Sequence, residues 1–228
     1  MRCHVAFTPA ETGAAPLGIV VDVMRATSSI AQALASGYRR VLCCTEIDDA
    51  LALRAELGDE AITGGEREAK RVEAFDAGAS PREFREPRAE TLILSTTNGT
   101  RSIVTASSAC EEVVLGALLN LEAVASHARE RGEDVVVLCA GYKGAFAIDD
   151  AYCAGRIVRL LGAERTDAAI AAELVADRYA TGLEGINART YGPPGLEEDI
   201  AFCAQESILG VVPRFSRMVG SAAEIVAS

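Results

Sequence analysis

The chain has 228 residues with 22 Lys or Arg against 33 Asp or Glu, which gives a formal net charge of −11. Half of the residues are apolar and 24% are charged, as in folded globular domains and unlike disordered, collagen-like or disulfide-rich chains. Nucleic acids and anionic membranes are bound by clustered Lys and Arg, and this acidic chain has no basic stretch. We therefore expect a small-molecule partner, with no nucleic acid and no membrane.

The cysteines and the N-terminal residues bear on the compartment. Seven Cys are scattered through apolar segments without a Cys-x-x-Cys pair, and there are only two His, a pattern typical of reduced and mostly buried thiols. The first twenty residues hold no apolar run long enough for a signal peptide, and nowhere do 18 uncharged apolar residues follow one another. These features predict a cytoplasmic protein.

The predicted elements alternate between buried strands and amphipathic helices. The strands cover residues 17–23, 40–45, 91–95, 113–116 and 135–140. The helices between them end at Gly37, cover 48–57, begin after Thr100, and cover 120–131. Such alternation predicts right-handed crossovers, and hence an α/β fold in which α/β/α layers surround a largely parallel sheet.

Beyond residue 149 the pattern changes to helices, predicted over 149–161, 167–181 and 196–210, so we expect a helix-rich C-terminal third. Residues 64–87 form the longest segment without a clear period, and they are predicted to be a functional loop. We expect one α/β domain over residues 1–228, in which any division into two lobes falls near 140–150.

The end of the first strand carries the most suggestive residues. Asp22 is followed by Arg25 and then by the hydroxyls of Thr27, Ser28 and Ser29 at the start of a helix. Ligands of open parallel sheets bind at the carboxyl ends of the strands, where helix N-termini attract anions. This pattern suits an anion together with a divalent metal; the alternative is that Asp22 and Thr27 or Ser28 only cap the helix while Arg25 lies on the surface.

Other strand ends carry similar groups. Residues 96–100 are small and polar, and Gly99 permits a backbone that cradles an anion, although the same residues suit a turn that caps the next helix. Gly65 precedes a carboxylate and a guanidinium, Glu66 and Arg67. Residues 141–144 lead to two adjacent acids, Asp149 and Asp150, at the start of a helix. These acids are expected either to bind a metal or only to offset the dipole of their helix.

Sharper catalytic motifs do not fit. Cys153 and Arg159 have the spacing of a cysteine phosphatase but lie in a predicted helix, and Met24 stands where a haloacid-dehalogenase motif needs Asp. There is no phosphate-binding P-loop, and no His is placed to suggest a Ser-His-Asp triad or a zinc site. The residues favour oxygen-ligand chemistry, in which carboxylates bind Mg²⁺ and cations bind an oxyanion.

Five ordered blocks, at residues 20–28, 64–67, 75–81, 96–100 and 150–155, resemble those of the 2-phosphosulfolactate phosphatase family. The resemblance covers nearly the whole chain, and residues 199–213 resemble the C-terminal helix of that family. One departure is Asp149, where the family usually has Glu, and the shorter side chain weakens the case for Asp149 as a direct ligand.

The resemblance implies a Mg²⁺-dependent phosphatase that converts 2-phospho-3-sulfolactate to 3-sulfolactate and phosphate, a step of coenzyme M biosynthesis. The metal ligands are then expected to be Asp22, Glu66 and Asp150, and the catalytic residues Asp22, Arg25 and Arg67. The expected substrate-binding residues are Thr27, Ser28, Thr97, Asn98, Gly99, Thr100 and Lys143, with Asp76 as a further candidate. Attack by water and attack by Asp22 remain open, and we favour water.

Two other classes of function stay open. One is a nucleotide- or dinucleotide-binding oxidoreductase, supported only by the glycines at 141 and 144. The other is a non-catalytic anion-binding homologue that has kept the fold, and a homodimer is a further expectation. No residue distinguishes a sulfonate pocket from a pocket for another phosphorylated acid.

Overall fold

A computed structural model describes residues 1–11, 13–192 and 194–228. Its strands are β1 Arg2–Ala6, β2 Leu17–Val21, β3 Arg40–Cys43, β4 Ala61–Arg67, β5 Lys70–Arg71, β6 Thr91–Ser95, β7 Glu112–Gly116, β8 Val135–Cys139, β9 Glu164–Arg165, β10 Pro213–Val219 and β11 Ala222–Ala227. Its helices are α1 Ala26–Ser36, α2 Ile47–Leu57, α3 Gly99–Ala109, α4 Leu121–Arg131, α5 Ile148–Leu161, α6 Asp167–Asp177, α7 Gly182–Asn187 and α8 Glu197–Cys203. Among the residues described, no helix has the length and apolar character needed to cross a membrane.

All strands join one sheet in the order β5-β4-β6-β3-β11-β10-β7-β2-β8-β1-β9. Two parallel groups form its sides, β4-β6-β3 and β7-β2-β8-β1-β9. The antiparallel β10–β11 hairpin lies between them, with β11 paired to β3 and β10 paired to β7. The predicted α/β fold with a largely parallel sheet is confirmed.

The side chains of each strand alternate between cores on the two faces of the sheet. In β2, Ile19 and Val21 pack with helices α4, α5 and α6 on one face, whereas Val20 packs with α1 and α3 on the other. In β6, Ile93 faces α2 while its neighbours face α1 and α3. Since apolar side chains on both faces are covered by helices, the strands are continuous apolar runs, which is why they were predictable.

The C-terminal region differs from the prediction. The helix predicted over 196–210 is too long, because α8 ends at Cys203. The helix predicted over 167–181 ends at Asp177 as α6, and the short helix α7, which begins at Gly182, was not predicted. The β10–β11 hairpin was not predicted. Ala and Glu in β11 favour helix by intrinsic propensity. Residues Ala222–Ala227 nevertheless form a strand, because β11 lies between β3 and β10 and pairs with both, and β propensity depends strongly on such context.

The segment predicted as a long loop is also more regular than expected. Residues 64–67 complete β4, which was missed because two glycines weaken its strand signal. Gly65 is required there: its φ is +152°, and a Cβ would lie 2.1 Å from the carbonyl oxygen of Ser95. This close approach holds β4 against β6 and brings the end of β4 to the same edge as the end of β6.

The cysteines agree with the prediction of reduced thiols. All seven are free; six are buried and Cys110 is half-buried. Cys153 lies inside α5, where burial raises the pKa of its thiol well above the ordinary value. A buried, protonated thiol is a poor nucleophile, so the structure gives no support to cysteine-phosphatase chemistry.

Candidate active site

A cavity of about 60 Å³ lies where β2, β4, β6 and β8 end. It combines carboxylates, cations and small polar groups from these strand ends and from the loop after α7. The lining residues are Asp22, Met24, Arg25, Glu66, Glu68, Ala69, Ala79, Thr96, Thr97, Asn98, Tyr142, Lys143, Arg189, Tyr191, Gly192 and Leu196. The carboxyl edge of the sheet is thus the candidate active site, as the sequence predicted.

Helix α3 brings together strand ends that are not neighbours in the sheet. It follows β6 but packs against β2 and β7, so its first residue, Gly99, touches Asp22. A Cβ at Gly99 would lie 2.6 Å from Oδ2 of Asp22 and 2.4 Å from Cβ of Ala26. Only glycine therefore allows the β6–α3 turn to approach the Asp22 carboxylate this closely.

Asp22 is the central carboxylate of the cavity. Only 7% of the residue is exposed, and its Oδ1 accepts a hydrogen bond from the backbone N–H of Ala26 at 3.3 Å. Burial raises its pKa to about 7; the Ala26 N–H opposes this shift, and the charges of Glu66 and Asp149 add to it. Among the described residues, Oδ2 has no hydrogen-bond donor. Asp22 can therefore exchange a proton near neutral pH and offer a free oxygen to a ligand.

The vicinal acids at the start of α5 have different partners. Asp150 accepts the backbone N–H of Val23 at 2.9 Å on Oδ1 and that of Gly141 at 3.0 Å on Oδ2, so it ties the end of β2 to the end of β8. Asp149 accepts the hydroxyl of Tyr191. Burial raises the pKa of both carboxyls, and mutual repulsion raises that of Asp150 further.

Glu66 fixes the turn that follows β6. Its Oε1 accepts the backbone N–H of Thr97 at 2.8 Å, while Oε2 accepts the Thr97 hydroxyl at 3.1 Å and the N–H of Ala69 at 2.6 Å. Both carboxylate oxygens are therefore engaged by protein donors. In this arrangement Glu66 orients Thr97 and the N-terminus of α3 toward the cavity.

Three cations line the cavity. Arg25 donates to Oδ2 of Asp199 at 2.6 Å and to the carbonyl of Ala69 at 3.2 Å. Lys143 pairs with Glu68 across 3.1 Å. The guanidinium of Arg189, in contrast, has no hydrogen bond and no ion pair within 4.0 Å in the part of the chain that the structure describes, although its charge acts on Asp149 and opposes the rise in the pKa of that carboxyl.

Other predicted site residues lie outside the cavity lining. The guanidinium of Arg67 donates to the carbonyls of Glu66 and Thr45 and to the hydroxyl of Ser95. Asp76 accepts the backbone N–H of Thr63 at 2.8 Å, also outside the lining. The structure therefore places Arg67 and Asp76 in contacts that hold β4 to its neighbours.

The hydroxyls of the α1 and α3 N-termini turn inward. Thr27 and Ser28 each donate to the carbonyl five residues earlier, at 2.9 and 2.8 Å, and Thr100 donates to the carbonyl four residues earlier at 3.0 Å. All three are fully buried. These hydroxyls therefore do not face the cavity, and they do not cap the helices either, since neither helix has a side-chain cap. The predicted substrate-binding residues Thr97 and Asn98 do line the cavity.

Sequence reasoning missed Arg189, Tyr191 and Tyr142. The rings of Tyr142 and Tyr191 stack with centroids 4.2 Å apart and an interplanar angle of 15°. Neither Arg189 nor Tyr191 follows a strand, so the search at strand ends could not find them. The available signal was an Arg and a Tyr in a glycine- and proline-containing segment without hydrophobic period, between two helices.

The donor set of the cavity fits a divalent cation such as Mg²⁺. Within residues 1–11, 13–192 and 194–228, no three His, Cys, Asp or Glu side chains converge into a ready-made metal cage. Mg²⁺, however, usually takes one or two carboxylates together with water and substrate phosphate. Asp22 has the free oxygen, Asp149 lies near enough to raise its pKa, and a cation would relieve their repulsion. The oxygens of Glu66 and Asp150 already accept backbone N–H groups, and their predicted metal roles remain predictions.

Comparison with known proteins adds a family. A family model described as 2-phosphosulpholactate phosphatase matches residues 6–217. A relative from Clostridium acetobutylicum, named "Probable 2-phosphosulfolactate phosphatase", is 37% identical over 212 residues, 87% of this chain and 88% of its own. Proteins with the same name from Caldanaerobacter subterraneus subsp. tengcongensis and Pseudothermotoga lettingae are 35% and 36% identical, over 86% and 92% of this chain and 86% and 94% of their own.

Proposed function

The chain belongs to the 2-phosphosulpholactate phosphatase family, and we propose that it hydrolyses 2-phospho-3-sulfolactate, or a closely related phosphorylated hydroxy acid, in a Mg²⁺-dependent reaction. The observation that supports this most is the composition of one cavity. It joins the buried carboxylate of Asp22, which has a free oxygen, with the cations Arg25, Lys143 and Arg189. Such a combination suits a small, multiply charged phosphoester.

The phosphoryl group is bound beside the N-terminus of α3. This helix begins at Gly99 with no acidic residue in its first turn, and Thr97 and Asn98 precede it in the cavity wall. Free backbone N–H groups and the partial positive charge at a helix N-terminus stabilise phosphate oxygens. The guanidinium of Arg25 adds a fixed positive charge, because Asp199 and the carbonyl of Ala69 hold it in one orientation.

Asp22 would hold Mg²⁺ together with water and substrate oxygens, and the ion when bound would supply Lewis-acid stabilisation of the phosphoryl oxygens. The Asp22 carboxylate would orient an attacking water beside the metal and accept its proton as the water adds to phosphorus. The bond between phosphorus and the substrate oxygen then breaks, and the leaving oxygen takes up the proton that the water released, which gives the hydroxy acid and phosphate. Direct attack by Asp22 on phosphorus is the other route, and we favour water.

Phosphate release from a panel of phosphoesters, with and without a sulfonate, tests the proposal. The wild-type protein should release phosphate in the presence of Mg²⁺ and cease to do so in EDTA, with 2-phospho-3-sulfolactate among its best substrates. Asp22→Asn should abolish turnover, because the amide can neither accept the proton nor carry the charge. Asp48→Asn, an exposed carboxylate on α2, is the matched control and should keep wild-type rates. Absence of release from every ester would refute the proposal.

A further inference from the structure

The three cavity cations differ in how far the protein already neutralises them. Arg25 is paired with Asp199 at 2.6 Å, and Lys143 is paired with Glu68 at 3.1 Å. Arg189 is half-buried and lines the same cavity, yet no carboxylate of the described residues lies within 4.0 Å of its guanidinium. Asp149 and Glu197 interact with this charge only at longer range, so the N–H donors of the guanidinium remain available to an anionic ligand.

The loop that carries Arg189 is fastened to the rest of the site. Two residues later, Tyr191 donates its hydroxyl to Asp149 and stacks on Tyr142 at a centroid distance of 4.2 Å. Gly192 has a φ of +99°, and a Cβ there would lie 3.7 Å from Cζ of Arg189. The chain therefore folds back along the guanidinium and limits its freedom, which lowers the entropy lost when a ligand binds.

We propose that Arg189 binds a second acidic group of the substrate, a carboxylate or sulfonate, and thereby selects phosphomonoesters that carry one. The planar fork of donors on a guanidinium matches two oxygens of such a group. In the proposed function the phosphoryl group binds at the N-terminus of α3 beside Thr97 and Asn98, and the α7–α8 loop supplies a different part of the cavity lining for the second charge. This inference rests on the proposed phosphatase function and specifies its substrate class.

Binding of reaction products tests Arg189 without requiring turnover. In isothermal titration calorimetry with Mg²⁺ present, Arg189→Ala should lower the affinity for 3-sulfolactate by at least about tenfold, because a bidentate contact is lost. Inorganic phosphate should bind the variant within about threefold of the wild-type affinity. The affinity of Arg189→Lys for 3-sulfolactate should lie between those of the wild-type protein and Arg189→Ala, because lysine keeps the charge but lacks the fork of donors. Arg178→Ala is the matched control, since Arg178 is exposed and lies over the ring of Tyr179.

Substrate selectivity supplies the second readout. Arg189→Ala should lower kcat/KM for 2-phospho-3-sulfolactate by at least about tenfold and that for p-nitrophenyl phosphate by less than about threefold. The inference would be overturned if Arg189→Ala lost affinity equally for 3-sulfolactate and phosphate, or lost kcat/KM equally for the two esters. A wild-type protein that does not bind 3-sulfolactate would also overturn it. If no ester is hydrolysed although 3-sulfolactate binds through Arg189, the proposed function fails while the subsite stands.

Discussion

The buried carboxyl of Asp22 should make the metal-free protein less stable as the pH rises. Burial raises its pKa from the ordinary value of 3.8 to about 7. Between these values the folded protein holds a proton that the unfolded chain has released, so the stability contributed by the protonated form is lost as the pH rises through about 7. This rise in the pKa of Asp22 corresponds to about 4 kcal/mol in total, of which about 2–3 kcal/mol is lost between pH 5 and pH 8.

Urea unfolding followed by circular dichroism, in EDTA at pH 5, 6, 7 and 8, measures this loss. The free energy of unfolding of the wild-type protein should fall more steeply than that of Asp22→Asn, by about 2–3 kcal/mol over this range. The buried acids Asp149 and Asp150 leave a remaining slope in the variant. Asp48→Asn should show the wild-type slope, since Asp48 is exposed on α2. Equal slopes in the wild-type protein and Asp22→Asn would refute the reasoning.

Three further substitutions test individual contacts. Arg25→Lys should lower kcat/KM by at least about tenfold, because a lysine cannot reproduce the fork of the guanidinium; unchanged kinetics would reduce Arg25 to a structural cation. Gly99→Ala should destabilise the protein by about 1–3 kcal/mol in urea unfolding and impair turnover, because the new methyl group would lie 2.6 Å from Oδ2 of Asp22. Wild-type stability and rates in that variant would show that the turn can move away. Cys153→Ser should keep turnover within a few-fold of the wild-type rate, since the thiol is buried in α5. Complete loss of turnover in a folded variant would instead support Cys153 as the nucleophile.

The parts of the fold that could be predicted are those in which local pattern and tertiary environment agree. Strands such as Leu17–Val21 are buried on both faces, so they are apolar throughout and end at polar residues. Strand Ala222–Ala227 is different, because its residues favour helix locally and only its two neighbouring strands specify an extended chain. The family and its enzyme class, phosphoric monoester hydrolase, were predicted from ordered motif blocks and are confirmed by the match over residues 6–217.

The candidate site could be placed from the sequence but not resolved into roles. Strand ends meet at one edge of a parallel sheet, so Asp22 and Asn98 were expected near each other and do line one cavity. Whether a side chain faces that cavity depends on packing that a linear pattern does not contain, and the hydroxyl of Ser28 bonds to a backbone carbonyl instead. Arg189 and Tyr191 reach the site from a loop whose position is fixed by the stacking of two tyrosine rings.

A crystal structure of the protein soaked with Mg²⁺ and 3-sulfolactate would test the central claim most directly. We expect metal density about 2.1 Å from a carboxylate oxygen of Asp22, with the acid in the cavity that Arg25 and Arg189 line. A metal more than about 10 Å from Asp22, far beyond any coordination distance, or 3-sulfolactate bound in another cavity, would contradict the account.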